Sequence, residues 1–264
     1  MHKFSFSRKH LAIPYALFLM FFVIAPLIIV LYYAFTNATG QFTINNFLNF
    51  FTDANTIGTL VYSVCLSLTT TAVCLVIAYP LAYILARGGF KNSSVLLMLF
   101  ITPMWINFTL RVTALKEILT ALEGNLAFHP FLNSVIGMSY DFLPFMILPL
   151  YTSFLKLDKD LNEAAADLGA NKVNVFFKIT LPLSIPGIIS GVMMVFLPAM
   201  TNYVVLDMLH NSTYIMGSLI GSYFNAYDWN NGAIISVVLL VIILVITLLT
   251  NKFGDESQGG GRVV

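Results

Sequence analysis

Charge is what this sequence has least of. Only 9% of its 264 residues are charged and 58% are hydrophobic, where a soluble domain carries about 25% charged residues. An aqueous globule could neither hide that much apolar side chain nor solvate its surface with so few ions, so that class is excluded. Cysteine is almost as scarce. Cys65 and Cys74 fall in one expected helix, roughly 13 Å apart at a rise of ~1.5 Å per residue and beyond disulfide reach. Both read as packing residues and carry no information on redox compartment. The four histidines, His2, His10, His129 and His210, lack metal-ligand spacing, and no nucleophile–base pair stands out, so neither a metal site nor a membrane enzyme is expected. A Gly-rich phosphate loop is also missing, which leaves the chain without its own nucleotide chemistry. No cofactor is expected.

What the chain has instead is long apolar runs. Six membrane spans can be drawn, at about 11–35, 59–86, 93–113, 131–154, 185–208 and 232–251, each near the 20 residues a bilayer requires. The basic start MHKFSFSRKH raises the question of a signal peptide. The run from Leu11 to Phe35 is too long for a signal core and ends without a small-residue cleavage site, so it reads as a retained first span. Span three carries Pro103, Trp105, Asn107 and Arg111, and span four carries Asp141, Pro144 and Pro149. Both therefore read as interior helices.

Loop charges set the orientation. With the N-terminus inside, the inner segments hold Lys3, Arg8, Lys9, Arg87, Lys91, Lys156, Lys159, Lys172, Lys178, Lys252 and Arg262, whereas the outer side receives Lys116 and Arg111. This asymmetry places both termini, and the loop between spans four and five, on the cytoplasmic side. The outer loops 36–58 and 209–231 are rich in Asn, Thr and aromatic residues and are expected to form short interfacial helices. The segments divide into an N-terminal tail (1–10), a six-helix domain (11–254, with a cytoplasmic loop at about 155–184) and a polar Gly-rich tail (255–264) expected to be disordered.

The cytoplasmic loop is the most specific feature. It reads EAAADLGANKVNVFFKITLP from Glu163 to Pro182. Asn162 is suited to cap a helix beginning at Glu163, the alanines and Leu168 favour helix, and Gly169 can end it in a left-handed turn. A second amphipathic piece follows, with Val173, Phe176, Phe177 and Ile179 apolar, and Pro182 and Pro186 mark the entry to span five. An amphipathic helix on the inner leaflet would share this pattern. The full spacing, Glu163-Ala164-Ala165, then Gly169, then Leu181-Pro182, resembles the EAA signature of permease subunits of ABC-type importers. In that family the loop helix docks onto the ATPase, so the resemblance assigns coupling to Glu163, Ala164, Ala165, Asp167, Leu168 and Gly169.

The likeness extends beyond the loop. Between about Tyr62 and Asn231 the chain is similar to the PotB-type spermidine/putrescine permeases. The carrying segments are Pro103-Met104-Trp105-Ile106-Asn107 with Arg111, Leu143-Pro144-Phe145 through Pro149-Leu150-Tyr151, Leu157-Asp158-Lys159, Leu197-Pro198-Ala199-Met200 with Asp207, and Asp228-Trp229. It implies an all-α membrane protein with six transmembrane helices in the type I importer permease fold. It also implies a polyamine permease in the bacterial inner membrane, partnered by two cytoplasmic ATP-binding subunits, a second homologous permease and an extracytoplasmic polyamine-binding protein. Lipid surrounds it, and nucleic acid is not among its partners. A permease for another small solute and a self-sufficient secondary transporter are the alternatives.

A polyamine needs carboxylates for its ammonium groups and aromatic faces for charge and stem. The expected pathway residues are Trp105, Asn107, Tyr140, Asp141, Tyr203 and Asp207, with Asp207 near the outer end of span five and Trp105 in mid-helix. For Asp141 two readings stand side by side: contact with substrate, or an ion pair with Arg111.

Overall fold

The computed structural model describes residues 12–158, 160–167 and 169–259. In chain order the helices are α1 (Ile13–Ala34), α2 (Asn45–Thr52), α3 (Ala54–Arg87), α4 (Ser93–Ile101), α5 (Phe108–Glu123), α6 (Pro130–Lys156), α7 (Asp160–Asp167), α8 (Val173–Thr201), α9 (Val204–Leu209), α10 (Met216–Asn225) and α11 (Trp229–Gly259). Among the described residues the β-structure is limited to an isolated bridge between Thr36 and Phe42. Helices α1, α3, α6, α8 and α11 are each long and apolar enough to cross a membrane. A sixth crossing is reached when α4 and α5, a pair bent by 96°, are taken together as one span.

Three expectations need correction. Span three is not a straight helix but this broken pair. Span five runs Val173–Thr201 rather than 185–208, because its helix starts inside the expected loop and stops at Asn202. Helix α11 reaches Gly259, past the point where the tail was expected to begin; residues 260–264 and the tail 1–10 lie outside the described residues.

The chain divides into two compact units. The first comprises Met1–Ile57 and Leu219–Val241. The carbonyls closing α1 are its organising feature: Asn46 Nδ2 donates to Ala34 O at 3.0 Å and Thr36 O at 2.9 Å, and Asn230 Nδ2 donates to Tyr33 O at 3.0 Å and Thr36 O at 2.6 Å. Helix ends leave carbonyls without partners, and here two asparagines supply them. In the most apolar window of α1 none of the residues is buried by the chain, so lipid or another subunit must cover that helix.

The second unit comprises Gly58–Ser218 and Ile242–Val264. Its centre is the packing of α6 on α8, with Met146, Ile147, Leu150 and Phe154 buried from the first and Val195, Ala199 and Met200 from the second. Lipid is as apolar as these side chains, so close packing rather than water exclusion holds the pair. Gly187 makes the close approach possible, since a Cβ there would lie 2.5 Å from Ser153 Cβ. Three hydroxyls of α3 are satisfied by their own helix: Ser63 donates to Thr59 O at 2.8 Å, Ser67 to Ser63 O at 2.6 Å and Thr71 to Ser67 O at 2.7 Å. Such back-bonding lets polar side chains lie inside an apolar span.

Candidate functional site

The loop after α6 begins with a tether. Arg87, in the last turn of α3, donates to the Leu157 carbonyl, and a cavity of about 430 Å³ opens beside Arg87, Asp158 and Asp160. Asp158 Oδ1 then accepts the Asp160 N–H at 3.1 Å, and α7 starts at Asp160. Asn162 is therefore inside the helix and not its cap. Glu163, Ala164, Ala165 and Asp167 all lie on α7; Asp167 is exposed and Ala165 half-buried. Leu168, and the side chains of Glu163 and Ala164, lie outside the described residues. The Ala170 N–H bonds back to Ala165 O at 3.0 Å, and Gly169 has φ +81°, a left-handed value that costs an L-residue energy and glycine nothing. Asn171 Oδ1 accepts the Asn174 N–H at 2.7 Å and caps the helix that follows. The result is a helix, a glycine turn and a second helix that leads directly into the membrane.

Pro182 does not interrupt that second helix. Residues Phe176–Thr180 form a π-turn, in which Leu181 N–H reaches back to Phe176 O. The widened register leaves room for a residue that has no N–H of its own and whose ring crowds the preceding turn.

The broken span accounts for Trp105 and Asn107. Thr102–Trp105 form a 3-10 turn, and Asn107 caps α5, its Oδ1 accepting from Thr109 N–H at 2.9 Å and Leu110 N–H at 3.4 Å. Trp105 is thus at the break rather than in mid-helix, and it is 89% exposed. Asn107 is occupied by capping.

One turn into α5, the buried Arg111 donates through Nη2 to Oδ1 of Asp141 on α6, and both side chains are more than nine-tenths buried. The Tyr140 ring lies 6.0 Å from the guanidinium carbon, at the edge of cation–π range. Nε and Nη1 of Arg111 have no hydrogen-bond partner among the described residues. The Asp141 carboxylate is engaged by this pair.

Asp207 lies apart from that centre. The chain leaves α8 at Asn202, turns at the half-buried Tyr203 and forms the short α9, so exposed Asp207 belongs to a separate helix and not to span five. Helix α9 packs against both α5 and α6, seating Leu209 and Val205 over Gly137. It also positions His210, which the spacing argument dismissed. Ser212 N–H donates to His210 Nδ1 at 3.2 Å, so Nδ1 is the acceptor and Nε2 carries the proton, which it donates to Ser134 Oγ on α6 at 2.8 Å. Burial pushes this imidazole below its ordinary pKa, while the Pro130 carbonyl and Asp207 pull the other way. The structure thus joins Arg111, Tyr140 and Asp141, and leaves Trp105 and Asp207 exposed on separate elements.

Comparison with known proteins places this architecture. The spermidine/putrescine transport system permease protein PotB of Escherichia coli K12 is 37% identical over 206 residues, covering 72% of this chain and 75% of that protein. The protein of the same name from Haemophilus influenzae is 34% identical and covers 94% of this chain and 95% of its own. Among solved structures, a chain of a bacterial alginate ABC transporter superposes with a TM-score of 0.74 at 13% identity, covering 94% and 93% of the two chains. That likeness establishes the fold as the one seen in ABC importer permeases. Residues 75–255 match the family model described as binding-protein-dependent transport system inner membrane component, and the chain belongs to that family of multi-pass transport permeases.

Proposed function

We propose that this chain is a permease subunit of an ATP-driven importer of spermidine and putrescine, forming half of the translocation pathway with a second, homologous permease. The observation that carries this reading is the similarity to permeases named for that transport, which extends over 94% of the chain in one of them. ATP hydrolysis belongs to two copies of a cytoplasmic ATP-binding subunit, onto which α7 docks with the Gly169 turn as its pivot. An extracytoplasmic polyamine-binding protein delivers the substrate. Both termini are cytoplasmic, in keeping with the asymmetry of loop charges.

The geometry suits a cationic solute. Arg111 would repel a polyamine, but Asp141 neutralises it, so the α5–α6 contact presents no net positive charge. Asp141 is accordingly assigned to the pair and not to the substrate. Trp105, Tyr140, Tyr203 and Asp207 remain as pathway groups: Trp105, Tyr140 and Asp207 are exposed and Tyr203 half-buried, and an aromatic face or a carboxylate attracts an ammonium group. In proteoliposomes holding the complete transporter, Asp207→Asn is expected to lower spermidine uptake about tenfold, the cost of a hydrogen bond to a charged group, with the ATPase subunits still assembled. Unchanged uptake would remove Asp207 from the pathway. A wild-type complex whose ATPase ignores spermidine and putrescine but answers to another loaded binding protein would overturn the substrate assignment.

A further inference from the structure

The first unit contains a pocket that none of the pathway residues lines. Its volume is about 210 Å³, and its polar wall is made by Asn46, Asn49, Asp53, Tyr223 and Asn231. The hydrogen bonds around it decide what it can hold. Asn46 spends its amide N–H groups on the carbonyls of Ala34 and Thr36, and Asn231 Nδ2 donates to Asp228 Oδ2 at 2.7 Å. A side-chain amide has two N–H donors and one acceptor oxygen, so Asn46 keeps only its oxygen for the pocket, and Asn231 keeps its oxygen and one N–H. Asp53 Oδ2 accepts the Thr56 N–H at 2.9 Å and its hydroxyl. These bonds, with a weaker one from the Asn55 N–H, hold the carboxyl below its usual range, and a carboxylate, with about four lone-pair sites, can still accept another donor. The wall therefore presents acceptor oxygens and a negative charge, beside the amide of Asn49, the hydroxyl of Tyr223 and one N–H of Asn231.

Among the described residues of the unit nothing cancels that charge. Its described residues include Asp53 and Asp228, and among them there is no Lys, Arg or His. The remainder of the lining is Thr56, whose hydroxyl is spent on Asp53, and the apolar Phe50, Ile234 and Ile235, which suit methylene groups and not a hydrated inorganic ion. At ~30 Å³ per water the volume equals about seven waters, room for an ammonium head with a short carbon stem. The pocket lies at the starts of α3 and α11, on the face that the loop charges assign to the outside.

We propose that this pocket is an outer binding subsite for one alkylammonium end of a cationic substrate. Asp53 takes the ammonium charge, the free amide oxygens of Asn46 and Asn231 accept its remaining hydrogens, and Ile234 and Ile235 cover the adjacent methylenes. The role as a substrate subsite rests on the import reading above; the binding chemistry does not.

The test is thiol protection in the assembled transporter in lipid nanodiscs. Asn49, exposed on the pocket wall, is changed to cysteine in a Cys65→Ala background; the remaining Cys74 is buried. Putrescine is expected to slow maleimide labelling of this cysteine roughly tenfold at a concentration about ten times its dissociation constant. Butanediol, which has the same carbon chain and no charge, should leave the rate unchanged. Asp53→Asn should abolish protection while preserving the start of α3, because asparagine caps a helix as well as aspartate does. Absence of protection by putrescine, equal protection by butanediol, or protection that survives Asp53→Asn would overturn the proposal. Uptake by the wild-type complex is read separately: protection without polyamine import would uphold the pocket's chemistry and refute the import reading.

Discussion

Replacing Asp141 with leucine would leave the Arg111 guanidinium in place, with 8% of its side chain exposed and no carboxylate beside it. Two of its nitrogens already lack a partner among the described residues, and the substitution would orphan the third. Breaking a buried pair from one side costs about 3–5 kcal/mol. The Tyr140 face, at 6.0 Å, returns about 1 kcal/mol or less of that. A net loss of about 3 kcal/mol changes the ratio of folded to unfolded protein by more than about a hundredfold. Removing both charges works differently: in Arg111→Met/Asp141→Leu neither desolvation nor attraction remains, and such exchanges are often neutral or stabilising by about 1–4 kcal/mol. The expected order of melting temperature is therefore double variant close to wild type, with Asp141→Leu well below both. Thermal unfolding of the purified assembly in nanodiscs, followed by loss of the monodisperse size-exclusion peak, measures that order. A single variant that melts with the wild type, or a double variant that melts with the single, would refute the argument.

Gly169→Val places a β-branched residue at φ +81°, where L-residues lose about 1–2 kcal/mol; ATP-driven uptake should fall with the membrane helices as stable as before, which parallel uptake and melting measurements would resolve. Gly187→Leu should lower the melting temperature, because a Cβ at 2.5 Å from Ser153 Cβ overpacks the α6–α8 crossing by about 1–3 kcal/mol, and adding Ser153→Gly should recover part of the loss. His210 carries a pH dependence. Its folded pKa is depressed, so its contribution to stability is complete above the unfolded value of about 6.5 and is lost as the pH falls from there through the folded value. Melting curves at neutral and mildly acidic pH should diverge for the wild type and converge for His210→Gln.

Much of this was legible in apolar runs and loop composition, and the departures have physical causes. The runs for spans one, two, four and six fall close to α1, α3, α6 and α11, since an uninterrupted apolar stretch can satisfy its backbone only as helix. Span three defeated the same reasoning because its interruption is short: Pro103 and the cap at Asn107 lie four positions apart inside a stretch whose overall hydropathy still passes for a span. Span five was displaced because prolines usually mark a helix start. The π-turn before Pro182 removes the conflict on which that rule depends, and such a turn leaves no compositional trace. The glycine turn of the loop was readable, since a left-handed residue after a helix-forming run has few alternatives to glycine. The pocket around Asp53 was not. It requires knowing where each asparagine spends its donors, and the sequence records only that the outer loops are rich in asparagine.

The Arg111–Asp141 contact also bears on how the chain is made. The two residues are 30 positions apart, so the ribosome delivers the arginine to the insertion machinery well before its counter-ion. An isolated arginine or aspartate in a span costs up to about 2.5–3.5 kcal/mol, the value at the bilayer centre on insertion scales, and less toward the outer side on which Arg111 is counted. Joint release of α5 and α6 as a neutral hairpin avoids exposing either charge to lipid, so the pairing favours insertion of the two helices together.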